Sequence, residues 1–471
     1  MISIPRAILR TYRSLVRRAG LHKSRSGPQP FLAIIADSDG CQIRAAAGEI
    51  AIEHRIVGEF APESFLMPMS ALDAWDIRGK DAINLEPRSD RSVLATWADR
   101  GVPRQAQFQV SAKAKVEFPE PPTSFAANDA QLWSALRDAV ATSESGSTRF
   151  ALECIQLRGA QGRIDATDGR HALAQVGFQF GFNDDVLVPA APILGCRDLD
   201  IGEGVAVGRS GDWIGFGVGH WLVMLRINKD GRFPKLDDTI PNHEFARSQL
   251  DLSASDAEFL TKVIQGLPCE DPHYSPITLD LNGKVLIRSR DAQQPRPTEV
   301  ELVSSQLSGD PIVLNTDRRY LERALRMGFR QAYIYGAASP ILCRDEGRQF
   351  LWMLLDAASA IPHSDDAIHI ESTPGSVSKP PSRIHSEPTM SGKDQTASSA
   401  EPQTKPVPRV KRTRSAASGG PIEQATALRD ALRNSASAAN QLVRLFKQQQ
   451  RQNRLVESTL NSLKQLDKIA G

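Results

Sequence analysis

Short runs of alternating apolar and polar residues recur along most of the chain. They have the two-residue period of a β-strand, and a glycine-containing turn breaks each one, a pattern typical of an antiparallel hairpin. Three such segments lie at 31–48, 155–169 and 277–291. The pattern therefore predicts antiparallel sheet in three separate parts of the chain.

An amphipathic stretch with helical spacing precedes each of these hairpins. The three stretches cover roughly 5–18, 128–142 and 253–267. Asn128 and Ser253 stand at the start of the second and third stretches, where a short polar side chain can accept a hydrogen bond from a free backbone N–H. We therefore predict three helices, with N-terminal caps at these two residues.

A second pattern repeats at a longer interval. An apolar strand-like run is followed by a polar or proline residue and then by a helix-like stretch. The pattern is found at 62–76, 185–199 and 310–325. The polar or proline residue between strand and helix, here called the step residue, is Pro68, Pro189 and Asn315 in the three copies. These residues are 121 and 126 positions apart, an interval far longer than a solenoid repeat. The repeat unit is therefore a domain, an α+β unit of two helices on an antiparallel sheet.

Two Phe-Pro pairs, at 118–119 and 233–234, close the first two copies and place the domain boundaries. The predicted domains are 1–122, 123–245 and 246–363. Beyond Ile361 the chain is rich in Ser, Pro, Thr and Lys and has almost no large apolar residues. Such a segment cannot bury enough surface to offset the entropy of ordering it. We therefore predict a disordered basic linker over 364–420.

Apolar residues return at helical spacing after that linker, as at Leu428, Leu432 and Leu442. They predict an amphipathic helix over 421–469 with coiled-coil character. Such a helix either associates with a second copy or another partner, or folds back on the body. The basic segment 405–414 either binds phosphate or keeps the linker soluble.

Length and composition agree with this organisation. A chain of 471 residues allows about three domains, and its 41% hydrophobic and 24% charged residues exclude collagen-like and wholly disordered classes. No apolar run approaches the roughly 18 residues that span a bilayer. The Arg-rich start lacks the apolar core of a secretory signal, although an organellar transit peptide shares its composition. We expect a soluble cytoplasmic protein that does not bind membranes.

The charge is distributed unevenly. Residues 364–471 contain 16 Lys+Arg against 10 Asp+Glu, a net of +6. The first 30 residues carry seven positive charges and no acid, so residues 31–363 sum to −11. An acidic body with basic elements suits a protein that attracts a polyanion to one face, because phosphate attraction follows the local potential. The alternative is that the arginines only form a solvated helix face.

Two motifs stand out in the second domain, Ala-Thr-Asp-Gly-Arg at 166–170 and Gly-Arg-Phe-Pro at 231–234. They resemble motifs of the bacterial DNA polymerase III beta subunit, the sliding clamp. Their order and separation are those of the family, and the three-copy architecture is also similar. The resemblance covers residues 1–363. It implies three tandem clamp-type domains, in a head-to-tail homodimer that closes into a ring.

In such a ring the helices face a central hole that holds duplex DNA. The resemblance thus implies contacts to the DNA backbone, without sequence specificity, from the basic residues of the first helix and the segment after it. These residues are Arg10, Arg13, Arg17, Arg18, Lys23 and Arg25. Further implied partners are a DNA polymerase and clamp-loader subunits, in association with the nucleoid.

Family clamps also carry a hydrophobic pocket, between the second and third domains, that captures peptides from client proteins. Carried over by motif, the pocket residues are Leu152, Thr167, Gly169, Arg170, His171, Pro234, Thr239, Met353, Leu354 and Leu355. This chain has His171 and Ala172 where the family has Arg and Leu, and Asp238 where a basic residue is common. These departures predict weak binding of ordinary client peptides. The tail either occupies the pocket or replaces its recruiting role.

Catalytic chemistry is not indicated. No nucleotide-binding glycine loop or hydrolase motif stands at a strand-to-helix junction, and the five cysteines lack metal-site or redox spacing. We therefore expect reduced, structural thiols and no metal or cofactor. His171 beside Asp168 fits a surface turn better than a catalytic pair. We predict a non-catalytic subunit that acts within a DNA polymerase III holoenzyme. The competing hypothesis is a clamp-fold scaffold that binds partners through its C-terminal helix without encircling DNA.

Overall fold

A computed structural model of the chain describes residues 1–22, 30–75, 79–89, 92–110, 117–144, 150–202, 204–269, 271, 273–294 and 296–372. Lys23, Arg25, the basic segment 405–414 and the helix predicted at 421–469 lie outside these residues. No helix in the described part of the chain is long and apolar enough to cross a membrane. The four sheets and five helices below belong to that part.

The first of the four sheets is built near the start of the chain. Its strands follow the order β1-β6-β7-β8. They are β1 (Ile2–Pro5), β6 (Ala82–Ser89), β7 (Ser92–Asp99) and β8 (Val102–Gln109). β8 therefore forms one edge of this sheet.

An eight-stranded sheet follows the order β5-β2-β3-β4-β16-β15-β14-β9. Its strands are β2 (Phe31–Asp37), β3 (Gly40–Ala47), β4 (Ile50–Ile56), β5 (Glu63–Pro68), β9 (Ala126–Asn128), β14 (Val205–Ser210), β15 (Trp213–Val218) and β16 (Trp221–Arg226). β4 pairs with β16, so this sheet joins strands from both sides of the predicted boundary at 122.

A nine-stranded sheet follows the order β13-β10-β11-β12-β25-β24-β23-β17-β21. Its strands are β10 (Cys154–Arg158), β11 (Arg163–Thr167), β12 (His171–Val176), β13 (Asp185–Pro189), β17 (Ser248–Asp251), β21 (Gln306–Gly309), β23 (Gln331–Ile334), β24 (Ile341–Arg344) and β25 (Arg348–Trp352). β12 pairs with β25, which joins strands across the predicted boundary at 245.

The last sheet has five strands in the order β22-β18-β19-β20-β26. They are β18 (Pro276–Leu281), β19 (Leu286–Ser289), β20 (Thr298–Glu301), β22 (Ile312–Asp317) and β26 (Ile368–Glu371). β26 pairs with β20 in parallel, whereas the other strand pairs of the four sheets are antiparallel. β26 lies inside the segment predicted to be a disordered linker, so that prediction is wrong for residues 364–372.

The helices are α1 (Arg6–Arg18), α2 (Ala71–Ala74), α3 (Ala130–Val140), α4 (Ala254–Val263) and α5 (Arg318–Arg326). The predicted cap at Ser253 is present, since its hydroxyl accepts from the N–H of Asp256 at 3.1 Å. The cap of α3 is Asp129 rather than Asn128, and it accepts from the N–H of Gln131. The Asn128 side-chain amide bonds instead to the backbone C=O and N–H of Gln179.

The second repeat lacks its predicted second helix. Residues 190–200 form successive turns rather than a helix. Pro189 and Pro192 have no backbone N–H to donate, and Gly195 takes a positive φ of 67° beside Arg137. In the third repeat the strand runs on to Asp317, which caps α5. The step residue there is Asp317, two positions after the predicted Asn315.

The core forms two main clusters. One runs from Ile2 to Leu225 and contains the buried faces of α1 and α3. The other is centred on α4, α5 and the third-domain strands, and includes Trp352. The buried indole of Trp133 donates its N–H to Cys196 O at 2.8 Å. All five cysteines are free, and four of them are buried.

Candidate functional site

Helix α1 forms because its apolar residues fall on one face. Leu9, Tyr12, Leu15 and Val16 are buried in the first core cluster, and the arginines lie between them. The helix ends at a left-handed glycine: Gly20 has a φ of 71°, and the N–H of Leu21 reaches back to Val16 O at 2.9 Å. Basic residues in the last turn also suit the negative end of the helix dipole.

The four predicted DNA-contacting arginines of α1 have protein partners. Arg13 Nε and Arg17 Nη2 both approach Asp73 Oδ1, at 3.1 and 2.8 Å. Arg18 Nε lies 2.7 Å from Asp198 Oδ2, and Arg10 Nη2 donates to Gly79 O at 3.3 Å. Two carboxylates therefore offset part of the positive charge of this helix. Because the pairs involving Arg17 and Arg18 are exposed, each contributes little stability and leaves the guanidinium able to exchange partners.

Helix α5 is a second arginine-rich helix, which the sequence analysis did not assign to a site. Arg319 pairs with Asp317 and Arg326 pairs with Glu322 at 2.6 Å. Arg323 donates to Asp138 O at 2.7 Å, to Thr142 Oγ1 at 2.6 Å and to Ala141 O. It thereby satisfies free carbonyl groups at the end of α3. The recurrence of Arg at 319, 323 and 326 is the sequence signal for this helix face.

The turn between β11 and β12 carries the first group of predicted pocket residues. Asp168 Oδ1 accepts from the N–H groups of Arg170 and His171 at 2.8 and 2.9 Å, and Gly169 takes a φ of 86°. Burial opposes ionisation of Asp168, but the hydrogen bonds from His171 and from the backbone outweigh it and hold the pKa below its usual range. Asp168 thus fixes the shape of the turn.

His171 is only 8% exposed and does not lie on a surface loop. The centroid of its ring lies 4.8 Å from the ring centroid of Tyr320 in α5. It lies 5.7 Å from that of Phe350 in β25, which it meets edge-on. Its Nδ1 lies 2.8 Å from Asp168 Oδ1. These contacts make His171 a packing residue at the junction of β12 and β25.

The structure brings several predicted pocket residues together. Arg170 O accepts from the N–H of Met353 at 2.9 Å, so the turn is bonded to the chain that leaves β25. A Cβ on Gly169 would lie 3.7 Å from Leu152 Cδ1, which places Leu152 beside the same turn. Thr167 Oγ1 donates to His171 O at 2.7 Å. Met353, 47% exposed, presents an apolar side chain there.

The Gly-Arg-Phe-Pro segment forms the neighbouring wall. Phe233 packs against two small apolar clusters, one with Ala151 and Leu187 and the other with Leu236 and Leu351. Pro234 is half-buried next to it. Phe233 therefore joins the two small clusters that form this wall. It was not among the predicted pocket residues.

The remaining predicted pocket residues lie apart from that turn. Thr239 is exposed and bonds to Leu236 and Lys235 within its own turn. Leu354 packs on the second core cluster, and the N–H of Leu355 donates to Asn315 O at 2.8 Å. Leu354 and Leu355 therefore contact the third domain rather than the turn that carries Arg170.

An ion network borders the same wall. Asp237 lies on the turn after Pro234 and pairs with two arginines of the β10–β11 hairpin. Its Oδ2 is 2.5 Å from Arg158 Nη1, and its Oδ1 is 2.5 Å from Arg163 Nη1. Asp165 is buried beside Arg163 at 2.6 Å. Burial raises the pKa of Asp165 to about 6, although the arginines oppose this shift, while the bond from Arg158 lowers the pKa of Asp237. The network holds the turn containing Asp237 against the hairpin.

No protein-family model matches the sequence, and no curated protein matches it by sequence. Solved structures do match. The DNA polymerase sliding clamp of Pseudomonas aeruginosa superposes with a TM-score of 0.61 at 18% identity, over 75% of this chain and 99% of that one. This chain has the fold of the DNA polymerase sliding clamps. The clamp of Bacillus subtilis gives 0.64 at 15% identity over 75% and 98% of the two chains.

The DNA polymerase III beta subunit of Thermotoga maritima gives a TM-score of 0.61 at 12% identity, over 75% of this chain and 99% of that one. Each of these clamps is thus matched over almost its whole length. A quarter of this chain has no counterpart in them. The low identities make this a diverged clamp fold, and the α+β architecture of helices on antiparallel sheets is confirmed.

Proposed function

We propose that this protein is a DNA sliding clamp, a ring of two head-to-tail copies that encircles duplex DNA and tethers a DNA polymerase or repair proteins. The clamp fold over three quarters of the chain carries this proposal. The ring has no catalytic role of its own and serves a polymerase holoenzyme in the cytoplasm, at the nucleoid. The three predicted domains, 1–122, 123–245 and 246–363, provide six domains per ring.

The arginines of α1 support contact with the DNA backbone. Because Arg17 and Arg18 are half-exposed in ion pairs, a phosphate can replace either Asp partner at small cost. Such contacts carry no sequence information, so the ring can move along the duplex. The sequence carries two further positive charges shortly after α1, Lys23 and Arg25.

The pocket around Arg170 and Met353 is the proposed site for client peptides. An apolar peptide side chain would pack between Met353, Leu152 and the wall that contains Phe233. His171 fills space against Tyr320, so the pocket differs in shape from one lined by a long basic side chain. Client peptides for this pocket are therefore expected to differ from those of other clamps.

Retention on circular DNA tests the proposal. Full-length protein is loaded on a nicked plasmid with a clamp loader and ATP, and the plasmid is then linearised. A sliding ring stays on circles and leaves through linear ends. A folded, dimeric protein that is retained on neither form would contradict the proposal.

The partial neutralisation of the positive charge of α1 favours one second candidate. With Asp73 holding two arginines and Asp198 a third, the helix attracts DNA less than its sequence suggests. A clamp-fold scaffold that binds partners through its C-terminal helix needs no such attraction. Failure of plasmid retention, together with partner binding that is lost when 421–469 is deleted, would favour the scaffold.

A further inference from the structure

β26 is the outermost strand of the five-stranded sheet. It pairs with β20 from Thr298–Ile368 to Glu301–Glu371. The N–H of Ile368 donates to Pro297 O, and that of Ser372 donates to Glu301 O, both at 2.9 Å. The edge that β20 would otherwise offer is therefore occupied within the chain. Among the described residues no strand pairs with the other edge of β26.

A buried hydrogen-bond cluster anchors the end of β26. Ser372 is 1% exposed, and its hydroxyl donates to Asp256 Oδ1 of α4 at 2.6 Å. It also accepts from the N–H of Val303 at 3.0 Å. Asp256 is fully buried, and its second oxygen accepts from the N–H of Ser304 and the hydroxyl of Ser305. Buried bonds to a carboxylate are strong, so β26 is a fixed strand of this sheet.

The two faces of β26 differ. Ile368 and Ile370 share a face with Val300, which is in the core, because residues paired across neighbouring strands point the same way. They are nevertheless 48% and 38% exposed. His369 and Glu371 lie on the opposite face. An open strand edge with exposed isoleucines is a surface that a folded protein normally covers.

β8, at the edge of the first sheet, has a matching pattern. It pairs with β7, and within the described residues no strand pairs with its other side. Ala106 and Phe108 face the core, where Phe108 meets Trp75 edge-on at 5.9 Å. Gln105, Gln107 and Gln109 occupy the other face. Over residues 105–109, β8 therefore has one apolar and one polar face, as β26 does.

The charges of the two edges are complementary. Residues 100–109 contain Arg100 and Arg104 and no acidic residue. Residues 364–372 contain Asp365, Asp366 and Glu371 and neither Lys nor Arg. Opposite charge favours the pairing of these two edges over the pairing of either edge with its own copy. Self-pairing would give a symmetric dimer, whereas pairing of unlike edges gives a head-to-tail one.

We infer that β26 is the strand on which a second copy of this chain docks, through antiparallel pairing with that copy's β8. The inference rests on the proposed head-to-tail ring and names the surface that closes it. Pairing would place Ala106 and Phe108 beside Ile368 and Ile370, and the glutamines beside His369 and Glu371. A strand from beyond the predicted body thereby becomes part of the ring junction.

Thiol cross-linking of the full-length protein tests this junction. Gln107→Cys is combined with His369→Cys and treated with a short bismaleimide. The matched control combines Gln107→Cys with Asn282→Cys, an exposed turn position between β18 and β19 of the same sheet. The single Gln107→Cys variant measures the background from the native thiols. We expect covalent dimers with the 107/369 pair and background with the control.

A point variant tests the apolar contact. Ile370→Asp, in the cross-linking background, should weaken dimer formation by about tenfold, the effect of losing one central apolar contact. Val57→Asp, which changes another exposed aliphatic residue at 71% exposure, should leave it unchanged. Thermal unfolding of both variants shows that each is folded.

The outcomes separate the inference from the proposed ring. A wild-type protein that is dimeric by sedimentation, but whose 107/369 pair cross-links no better than the control, would overturn the β26 junction and leave the ring possible. A wild-type protein that stays monomeric at high concentration would overturn the ring itself. Dimerisation through the C-terminal helix would raise the sedimentation mass without this cross-link.

Discussion

The anchor of β26 gives a quantitative prediction. Ser372→Ala removes the hydroxyl that donates to Asp256 and accepts from the N–H of Val303. The bond to Asp256 is buried and the bond from Val303 is partly buried. A hydrogen bond to a charged group contributes about 1.5–3 kcal/mol. The remaining bonds from Ser304 and Ser305 to the other carboxylate oxygen should keep the α4 end folded. The cost should therefore appear mainly in the docking of β26.

Hydrogen exchange measures that docking directly. A loss of 1.5–3 kcal/mol corresponds to local opening that is roughly 10- to 100-fold more frequent. Exchange in peptides covering 362–372 and 297–304 should accelerate by this factor in the variant, and peptides from β10 and β11 should not change. Mass spectrometry of the exchanged full-length protein gives both values in one experiment.

A neighbouring serine provides the control. Ser364→Ala removes a hydroxyl that bonds to Asp366 on the exposed part of the same segment. An exposed bond of this kind contributes almost nothing, so exchange should match the wild type. Equal exchange rates in Ser372→Ala and Ser364→Ala would refute the view that β26 is anchored through Asp256.

Three further changes test other contacts. Arg17→Gln should weaken binding to a short duplex by about two- to tenfold and lower the salt dependence of the affinity by about one phosphate contact. The control is Arg209→Gln, which changes an ion-paired arginine on a strand. Asp165→Asn should flatten the pH dependence of the free energy of unfolding. Because the pKa of Asp165 is about 6 in the folded state and about 4 in the unfolded state, the folded wild-type protein binds an extra proton between these pH values. The free energy of unfolding of the wild type should therefore fall by up to about 3 kcal/mol as the pH rises through this window. Arg323→Ala should lower the free energy of unfolding in urea by about 1.5–3 kcal/mol through the lost hydrogen bonds to the end of α3. Lys262→Ala, which breaks an exposed pair with Glu258, should leave it nearly unchanged.

Each of these has a contradicting result. An unchanged salt dependence with Arg17→Gln would place α1 away from DNA. A wild-type protein with no loss of stability from pH 4 to 6 would contradict the raised pKa of Asp165. Equal losses with Arg323→Ala and Lys262→Ala would mean that the contacts to α3 contribute no more than an exposed pair.

Local patterns were sufficient for much of the fold. The three hairpins form around the predicted glycine turns, because a turn and an alternating pattern are both encoded within a few residues. α1 covers Arg6–Arg18, close to its predicted range, since its apolar face and its glycine stop are local as well. The cap at Ser253 follows from the same kind of short-range bond.

The misses depend on distant residues or on competing local chemistry. Asn128 was predicted as a cap, but its side-chain amide bonds to the backbone of Gln179, 51 residues later, and Asp129 caps the helix instead. β26 has only four residues, and its surroundings are polar; its order comes from β20 and from Asp256, far earlier in the chain. The partners of the α1 arginines, Asp73 and Asp198, were equally invisible in the local pattern.

The paired arginines of α1 bear on how a ring of this kind would hold DNA. Each guanidinium that leaves Asp73 or Asp198 for a phosphate gives up a weak, partly screened pair, so the net gain per contact is small. Small gains give low affinity for open DNA and little friction along it. A ring closed by backbone pairing of β8 on β26 does not need high affinity, because topology then keeps it on the duplex. The partly neutralised helix and a junction built from paired strands are therefore both compatible with the proposed sliding ring.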